Sequence, residues 1–336
     1  MSKLFNVAIV GATGLVGETL IEILAERCFP VAKLYPLASE RSEGETILFG
    51  HKPILVQNVA QFDFSQVDLA FFMASNAVAL EYAPRAAKAG CIVIDNSSAF
   101  RYDEDVPLIV PEVNSGALEG YQERNIIANP NCSTIQMVVA LKPIYDAVGI
   151  SRINVCSYQS VSGAGRAGLE ELAQQTQQIL NGHPLGQSIF PRQIAFNVIP
   201  QIDTFQDNGY TREEMKMVWE TQKIFADGNL MVNATAVRVP VFFGHSESVH
   251  IETRSKISAL EVYELLRNAP GLIAQDPSET EQYPTPVLED GLKDAVYIGR
   301  IREDISHSHG INLWIVADNV RKGAALNAVE IAELLL

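Results

Sequence analysis

The sequence has no run approaching 18 unbroken apolar residues, so no segment reads as a membrane-spanning helix. It has few basic residues: 25 Lys and Arg against 40 Asp and Glu, for a formal net charge of −15. No basic face is available for nucleic acid, so neither nucleic acid nor a membrane is an expected partner. The excess negative charge serves solubility, and it makes any local group of Arg and Lys informative, because an anionic ligand has to be held against the overall field. Cysteine is scarce: Cys28, Cys91, Cys132 and Cys156. None forms a C-x-x-C pair, which argues against structural zinc, and no metal is expected. Without a disulfide framework, each thiol is either filler or reactive. Internal repeats, low-complexity stretches and a polar linker are also missing. The start, Met1-Ser-Lys-Leu-Phe-Asn, lacks the basic-then-apolar layout of a leader, so a cytoplasmic protein is expected.

With 336 residues, 47% of them hydrophobic and 19% charged, the chain suits two intimately packed globular domains. Phe5–Val10 reads as a buried parallel strand, and Glu18 to Arg27 as a helix with Leu20, Ile21 and Leu24 on one face. Leu34–Ala38, Leu69–Met73 and Ile92–Asp95 are further strands, with an Ala-rich helix from Ala77 to Ala89 closed by Gly90. Strands alternating with helices predict an α/β fold with a Rossmann-type parallel sheet. After about residue 130 the texture changes. Ile153–Gln159, Val232–Arg238 and Ser248–Thr253 alternate as half-buried strands do, Val296–Ile301 and Gly310–Val316 add two more strands, and helices intervene near 165–181, 212–226 and 259–267. This is a second, mixed α+β domain. The expected division is 1–130 plus about 318–336 against 131–317, with a helical tail from Lys322.

Gly11-Ala-Thr-Gly-Leu-Val-Gly17 places glycines at G-x-x-G-x-x-G between the first strand and the first helix. Glycines let backbone approach a pyrophosphate, and the helix start offers free N–H groups, so Gly11, Thr13, Gly14, Leu15, Val16 and Gly17 are expected to hold a dinucleotide. The second strand ends at Ser39-Glu40-Arg41-Ser42. Glu40 could hold the ribose of NAD. Arg41 with Ser39 and Ser42 makes a better cup for a 2′-phosphate, which favours NADP. Short-chain reductases share this glycine spacing but need Tyr with Lys four residues on, and no tyrosine here has one.

Cys132 follows Asn129-Pro-Asn131 and precedes Ile135, Val138 and Val139 at helical spacing. Asn131 suits an N-cap, which puts Cys132 in the first turn, where the helix dipole favours a thiolate. Pro143 is expected to kink this helix and Gly149 to end it. Cys91 and Cys156 lie in strand patterns and Cys28 ends the first helix, so Cys132 is the candidate nucleophile.

Seven blocks, in order along nearly the whole chain, resemble the aspartate-β-semialdehyde dehydrogenase family: Gly11–Gly17, Asp95–Arg101, Asn129–Thr134, Tyr158–Gly165, Glu213–Lys216, Arg238–His245 and Ala317–Gly323. The resemblance implies that the second domain is catalytic and dimerising, and that the protein is a homodimer. It implies reductive dephosphorylation of aspartyl phosphate through a Cys132 thioester, with NADPH as hydride donor, in the synthesis of lysine, threonine and methionine. It makes His245 the acid–base group, suited by an imidazole pKa near neutrality. Gln159 would orient the substrate, Arg238 clamp its α-carboxylate and Glu213 face its amino group, with Asn131 beside the nucleophile. Arg101 and Lys216 would bind phosphate, Ser162 and Gly163 touch the cofactor, and Asn319 sit near the nicotinamide. Taken singly, Arg101, Lys216 and Glu213 could be ordinary surface charges, and His250 reads as structural. Many members carry a pair of glycines where this chain has Ala74-Ser75-Asn76-Ala77, on the adenine side of the resemblance. Two other readings stay open: a reductase of a related acyl phosphate such as N-acetylglutamyl phosphate, and a non-catalytic paralogue that binds NADP.

Overall fold

A computed structural model describes residues 4–186, 188–279, 281–287 and 291–336. Met1 to Lys3, where the leader was sought, lie outside them. The chain divides into two compact units, Met1–Asn131 with Ala324–Leu336, and Cys132–Gly323.

In chain order the first unit contains β1 (Phe5–Val10), α1 (Leu15–Glu26), β2 (Val31–Ala38), β3 (Thr46–Phe49), β4 (Lys52–Leu55), β5 (Gln57–Asn58), β6 (Leu69–Phe72), α2 (Asn76–Lys88), β7 (Ile92–Asp95), α3 (Pro111–Asn114) and β8 (Ile126–Ala128). Six strands form one parallel sheet in the order β5-β2-β1-β6-β7-β8. The chain winds outward on one side of β1 and then on the other, so the order reverses between β1 and β6, where open α/β sheets bind ligands. β1 and β6 are short apolar runs because the parallel sheet buries both of their faces. The core joins Leu20, Ile23 and Leu24 of α1 to Ile9, Phe71 and Ile94 of the sheet.

The helix expected from Glu18 begins three residues earlier, at Leu15, because Gly14 with extended backbone is already its N-cap. It ends at Glu26, and Cys28 beyond it has φ 53°, a conformation that cannot continue a helix.

The second unit contains α4 (Cys132–Val148), β9 (Ile150–Gln159), α5 (Gly165–Leu180), α6 (Arg212–Ile224), β10 (Met231–Arg238), β11 (His245–Thr253), α7 (Ala259–Leu266), β12 (Leu272–Ala274), β13 (Val296–Glu303) and β14 (Gly310–Ala317). The chain then returns to the first unit with α8 (Leu326–Glu333). Here the sheet is mixed, in the order β10-β9-β11-β14-β13-β12. β9 runs parallel to β10 and antiparallel to β11, and β14 is antiparallel to both β11 and β13. α4 packs against β9, β11 and β14 and alternates little, since Ser133 to Leu141 are all buried. Pro143 lies inside α4 without ending it. Proline removes one rung and clashes one turn back, and the buried residues on both sides hold the helix through it. Gly149, at φ 69°, closes α4 as its position suggested. Reciprocal capping boxes, Thr211 with Glu214 and Ser258 with Glu261, fix the starts of α6 and α7.

Among the described residues, no helix is long and apolar enough to cross a membrane, and no group of three or more His, Cys, Asp or Glu is placed to hold a metal ion.

Candidate active site

Three polar side chains line up across one end of the second unit's sheet. Arg238, the last residue of β10, pairs with Gln159, the last of β9. His245 opens β11 one step beyond the Ser246–Tyr158 pair, opposite Gln159, and itself pairs with Ala317 at the end of β14. The register therefore makes one transverse row, Arg238–Gln159–His245. All three are buried.

Gln159 Nε2 lies 3.0 Å from Ser133 Oγ, 3.2 Å from Ser157 Oγ and 3.2 Å from Glu213 Oε1. An amide nitrogen has two hydrogens, so at most two of these bonds form together. Ser133 follows Cys132, the first residue of α4, so the amide ties the row to the start of the cysteine helix. Cys132 is partly exposed, unlike Cys91, which is fully buried with its thiol pushed up to about 12, first by burial and then by Asp68. Cys156 is also raised, by burial. Cys28 is exposed.

The ring of His245 is fixed by Ser160. The Ser160 amide donates to Nδ1 at 3.1 Å, and Ser160 Oγ lies 3.1 Å from the same nitrogen. An N–H pointing at Nδ1 requires a lone pair there, so the neutral ring carries its hydrogen on Nε2. Nε2 is buried and has no protein partner among the described residues. Burial, and then the Arg238 guanidinium, bring the imidazole down to about 3. The near-neutral pKa expected of this histidine is therefore corrected: enclosure makes the imidazolium too costly, and the ring is neutral at ordinary pH.

Arg238 Nη1 donates to the Ser160 carbonyl at 2.7 Å, and the guanidinium sits 5.9 Å over the Phe190 ring. One peptide residue thus orients both the imidazole and the guanidinium. Arg238 also lines a cavity of about 530 Å³, with Phe190, Pro191, Gln201 and Asp203. Gly163 keeps the approach open, since a Cβ there would lie 2.7 Å from Arg238 Nη1 and 3.5 Å from His245 Nε2. Ser162 and Asn319 are buried together, Ser162 Oγ donating to Asn319 Oδ1 at 3.0 Å.

Glu213 and Lys216, both on α6, form an ion pair of 2.9 Å, and Lys216 also meets Asp203 at 3.1 Å. Burial pulls the Lys216 ammonium down, but Glu213 and Asp203 outweigh it and leave it above its usual range. Two carboxylates thus already attend this lysine. His250 bonds Asp304 at 2.8 Å, in keeping with a structural role.

The sequence did not point to Glu247. It is fully buried on the same face of β11 as His245, and neither carboxyl oxygen has a hydrogen-bond partner among the described residues. Burial pushes it well above the usual carboxylate range. The Gln136 amide pulls weakly the other way, though no bond of ordinary geometry joins the two.

The remaining candidates lie in the first unit. Gly11 has φ 86°, and a Cβ on it would sit 2.4 Å from the Met73 carbonyl beyond β6. A Cβ on Gly17 would meet the Gly11 carbonyl at 2.2 Å. Thr13, Leu15 and Val16 lie between, and no side chain caps the start of α1, which leaves its first N–H groups open. This cradle fits a pyrophosphate. Ser39, Arg41 and Ser42 make an exposed turn after β2, with Ser42 half-buried. Arg101 is buried and donates to the Asn96 carbonyl at 2.7 Å, and Asn131 is buried at the unit's end.

A family profile described as semialdehyde dehydrogenase, NAD binding domain, matches residues 6–121, and one described as semialdehyde dehydrogenase, dimerisation domain, matches residues 141–322. An aspartate-semialdehyde dehydrogenase of Shewanella sp. (strain DB6705) is 60% identical, covering 100% of this chain and 99% of that protein. Aspartate-semialdehyde dehydrogenase 2 of Vibrio cholerae is 62% identical over 100% of this chain and 99% of its own length. A crystal structure of the Vibrio cholerae aspartate semialdehyde dehydrogenase II, complexed with ASA, superposes with a TM-score of 0.97 at 62% identity, covering 99% of this chain and 98% of that one.

Proposed function

The chain belongs to the aspartate-semialdehyde dehydrogenase family, and we propose that it converts L-aspartyl-4-phosphate to L-aspartate-4-semialdehyde, with NADP as its cofactor. The observation that carries this reading is the row Arg238–Gln159–His245 tied through Ser133 to the helix that Cys132 begins.

The thiolate of Cys132 attacks the acyl carbon. Phosphate leaves, taking up one proton, and a thioester remains. A reduced nicotinamide, when bound, would supply the hydride that brings the acyl carbon to the aldehyde level. The C–S bond then breaks and the electron pair returns to sulfur as thiolate. Each tetrahedral stage places negative charge on the former carbonyl oxygen, and the Nε2–H of His245 is a donor that stabilises this charge while the ring stays neutral. Gln159 orients the acyl group. Arg238 holds the α-carboxylate with a bidentate fork, and Phe190 beneath it keeps the plane fixed. Glu213 receives the substrate ammonium, and Arg101 and Lys216 bind its phosphate, while Asn131 lies at the nucleophile.

The first unit holds the dinucleotide. Gly11, Thr13, Gly14, Leu15, Val16 and Gly17 meet the pyrophosphate and Ser39, Arg41 and Ser42 the 2′-phosphate, while Ser162, Gly163 and Asn319 of the second unit attend the nicotinamide. The second unit also dimerises. Supporting this, the face of its sheet bearing Asn154, Cys156, Tyr158 and Trp314 is only half-buried, whereas the alternate residues are buried. The enzyme works in the cytoplasm, in the synthesis of lysine, threonine and methionine.

The test is reduction of NADP by L-aspartate-4-semialdehyde with and without inorganic phosphate, in the wild type and in Cys132→Ala. Turnover that requires phosphate and vanishes in the variant is expected. A wild type that binds NADP without turnover would overturn the reading.

A further inference from the structure

The segment from Ala317 to Gly323 touches three parts of the site in succession. Ala317 pairs with His245 in the sheet. Asn319 Oδ1 gathers three donors: the Gly244 amide at 2.9 Å, Ser162 Oγ at 3.0 Å and Ser160 Oγ at 3.1 Å. Asp318 Oδ1 accepts from the amides of Val320 at 2.8 Å and Arg321 at 3.0 Å. The Gly323 amide then donates to the Asp318 carbonyl, five residues back, at 2.9 Å. This bond closes a turn over Asp318–Gly323 that is wider than an α-turn and leads into a π-helical stretch at Arg321–Ala325, a rare form that is frequent at functional sites.

The wide turn brings Gly323 against the cysteine. A Cβ built on Gly323 would lie 2.8 Å from Cys132 Cβ and 3.3 Å from its Cα. The Gly323 backbone is not in the left-handed region, so its own conformation would accept an alanine. Contact with Cys132 is what demands glycine here. We propose that the turn Asp318–Gly323 is a spacer that sets Cys132 relative to His245, with Gly323 the positioning residue for the nucleophile. The proposal rests on Cys132 being that nucleophile. Asn319 holds the loops that carry Ser160 and His245 at one end, and Gly323 bears on the first residue of α4 at the other. Any side chain at 323 displaces the start of α4, and with it the sulfur.

Iodoacetamide alkylation of Cys132, followed peptide by peptide, needs neither substrate nor cofactor, and exposed Cys28 is the internal control. In Gly323→Ala the Cys132 rate is expected to change at least about threefold while the Cys28 rate stays put. Turnover should fall about 10- to 100-fold, with KM little changed, as misplacement by up to an ångström predicts. A folded variant with kcat within twofold of wild type overturns the spacer. Asn319→Ser, at the far end of the turn, is the second arm. It should also alter Cys132 alkylation, although Asn319 bonds to the Ser160 and Gly244 side, and an unchanged rate overturns the spacer even if Gly323→Ala does not fold. If the wild type has no activity on the semialdehyde, the functional reading falls, and alkylation alone decides the spacer.

Discussion

Glu247 and His245 put opposite pH dependences on one face of one strand, and Glu247→Gln separates them. The carboxyl is raised in the fold, so its contribution to stability is full below its unfolded pKa of about 4.5 and is lost as pH rises. The imidazole is depressed to about 3, so its contribution is full above its unfolded pKa of about 6.5 and is lost as pH falls. Above pH 4.5 each changes stability by at most about 1.4 kcal/mol per pH unit, in opposite directions, so the two oppose one another. Replacing Glu247 by glutamine removes the falling limb and leaves the rising one. No hydrogen bond to the carboxyl is lost, since neither oxygen has a partner among the described residues. A chain of 336 residues unfolds with an entropy of roughly 0.7 kcal/mol/K. The Tm advantage of the variant should therefore grow as pH rises above 4.5, by at most about 2 °C per pH unit. Scanning calorimetry of both proteins at pH 4.5, 5.5 and 6.5 measures that difference directly, and all other titrating groups are common to the pair. A difference that stays constant across this range would refute the reasoning, because it would mean that Glu247 ionises in the fold as it does in the unfolded chain.

Arg238→Lys keeps the charge but removes the fork and the 2.7 Å bond to the Ser160 carbonyl. A hydrogen bond to a charged group contributes about 1.5–3 kcal/mol, so kcat/KM for the semialdehyde should fall roughly 10- to 150-fold; unchanged kinetics would remove Arg238 from the site. Arg41→Ala should raise KM for NADP by about tenfold or more and leave KM for NAD unaltered, since only the 2′-phosphate needs the guanidinium. Equal effects on both cofactors would count against the NADP cup.

Strands buried on both faces were the most legible part of the sequence. Phe5–Val10 and Ile92–Asp95 match their expected spans and β6 ends one residue before its own, because a parallel core demands an apolar run with few substitutes. The hairpin Thr46–Phe49 with Lys52–Leu55 left no signal. It lies largely exposed, and its polar and apolar residues need not alternate cleanly. α3, β5, β8 and β12, at two to four residues each, are too short for any period to show. In the site, the candidate residues were named from motifs, but their alignment in one row depends on strand register, which no motif carries. The Ser160 amide and carbonyl that orient His245 and Arg238 are backbone groups any residue would supply, so of its roles only the hydroxyl shared with Asn319 and Nδ1 depends on its identity. The pKa of His245 failed as an expectation because it depends on enclosure rather than on residue type.

The division of the chain has a consequence for assembly. The second unit starts at Cys132 and stops at Gly323, and these two residues touch. Its ends therefore meet, which is the geometry of an insertion placed within a host fold. The host is left discontinuous: Leu326, Val329, Ile331 and Ala332 of α8 belong to the same hydrophobic core as Leu20, Ile23 and Leu24 of α1. During synthesis most of the dinucleotide fold emerges before the inserted unit, yet it lacks these side chains until α8 has been made. The inserted unit, contiguous in sequence, has all of its residues in hand earlier. The part made first is the part completed last, and its unfinished apolar face is what a growing chain exposes in the meantime.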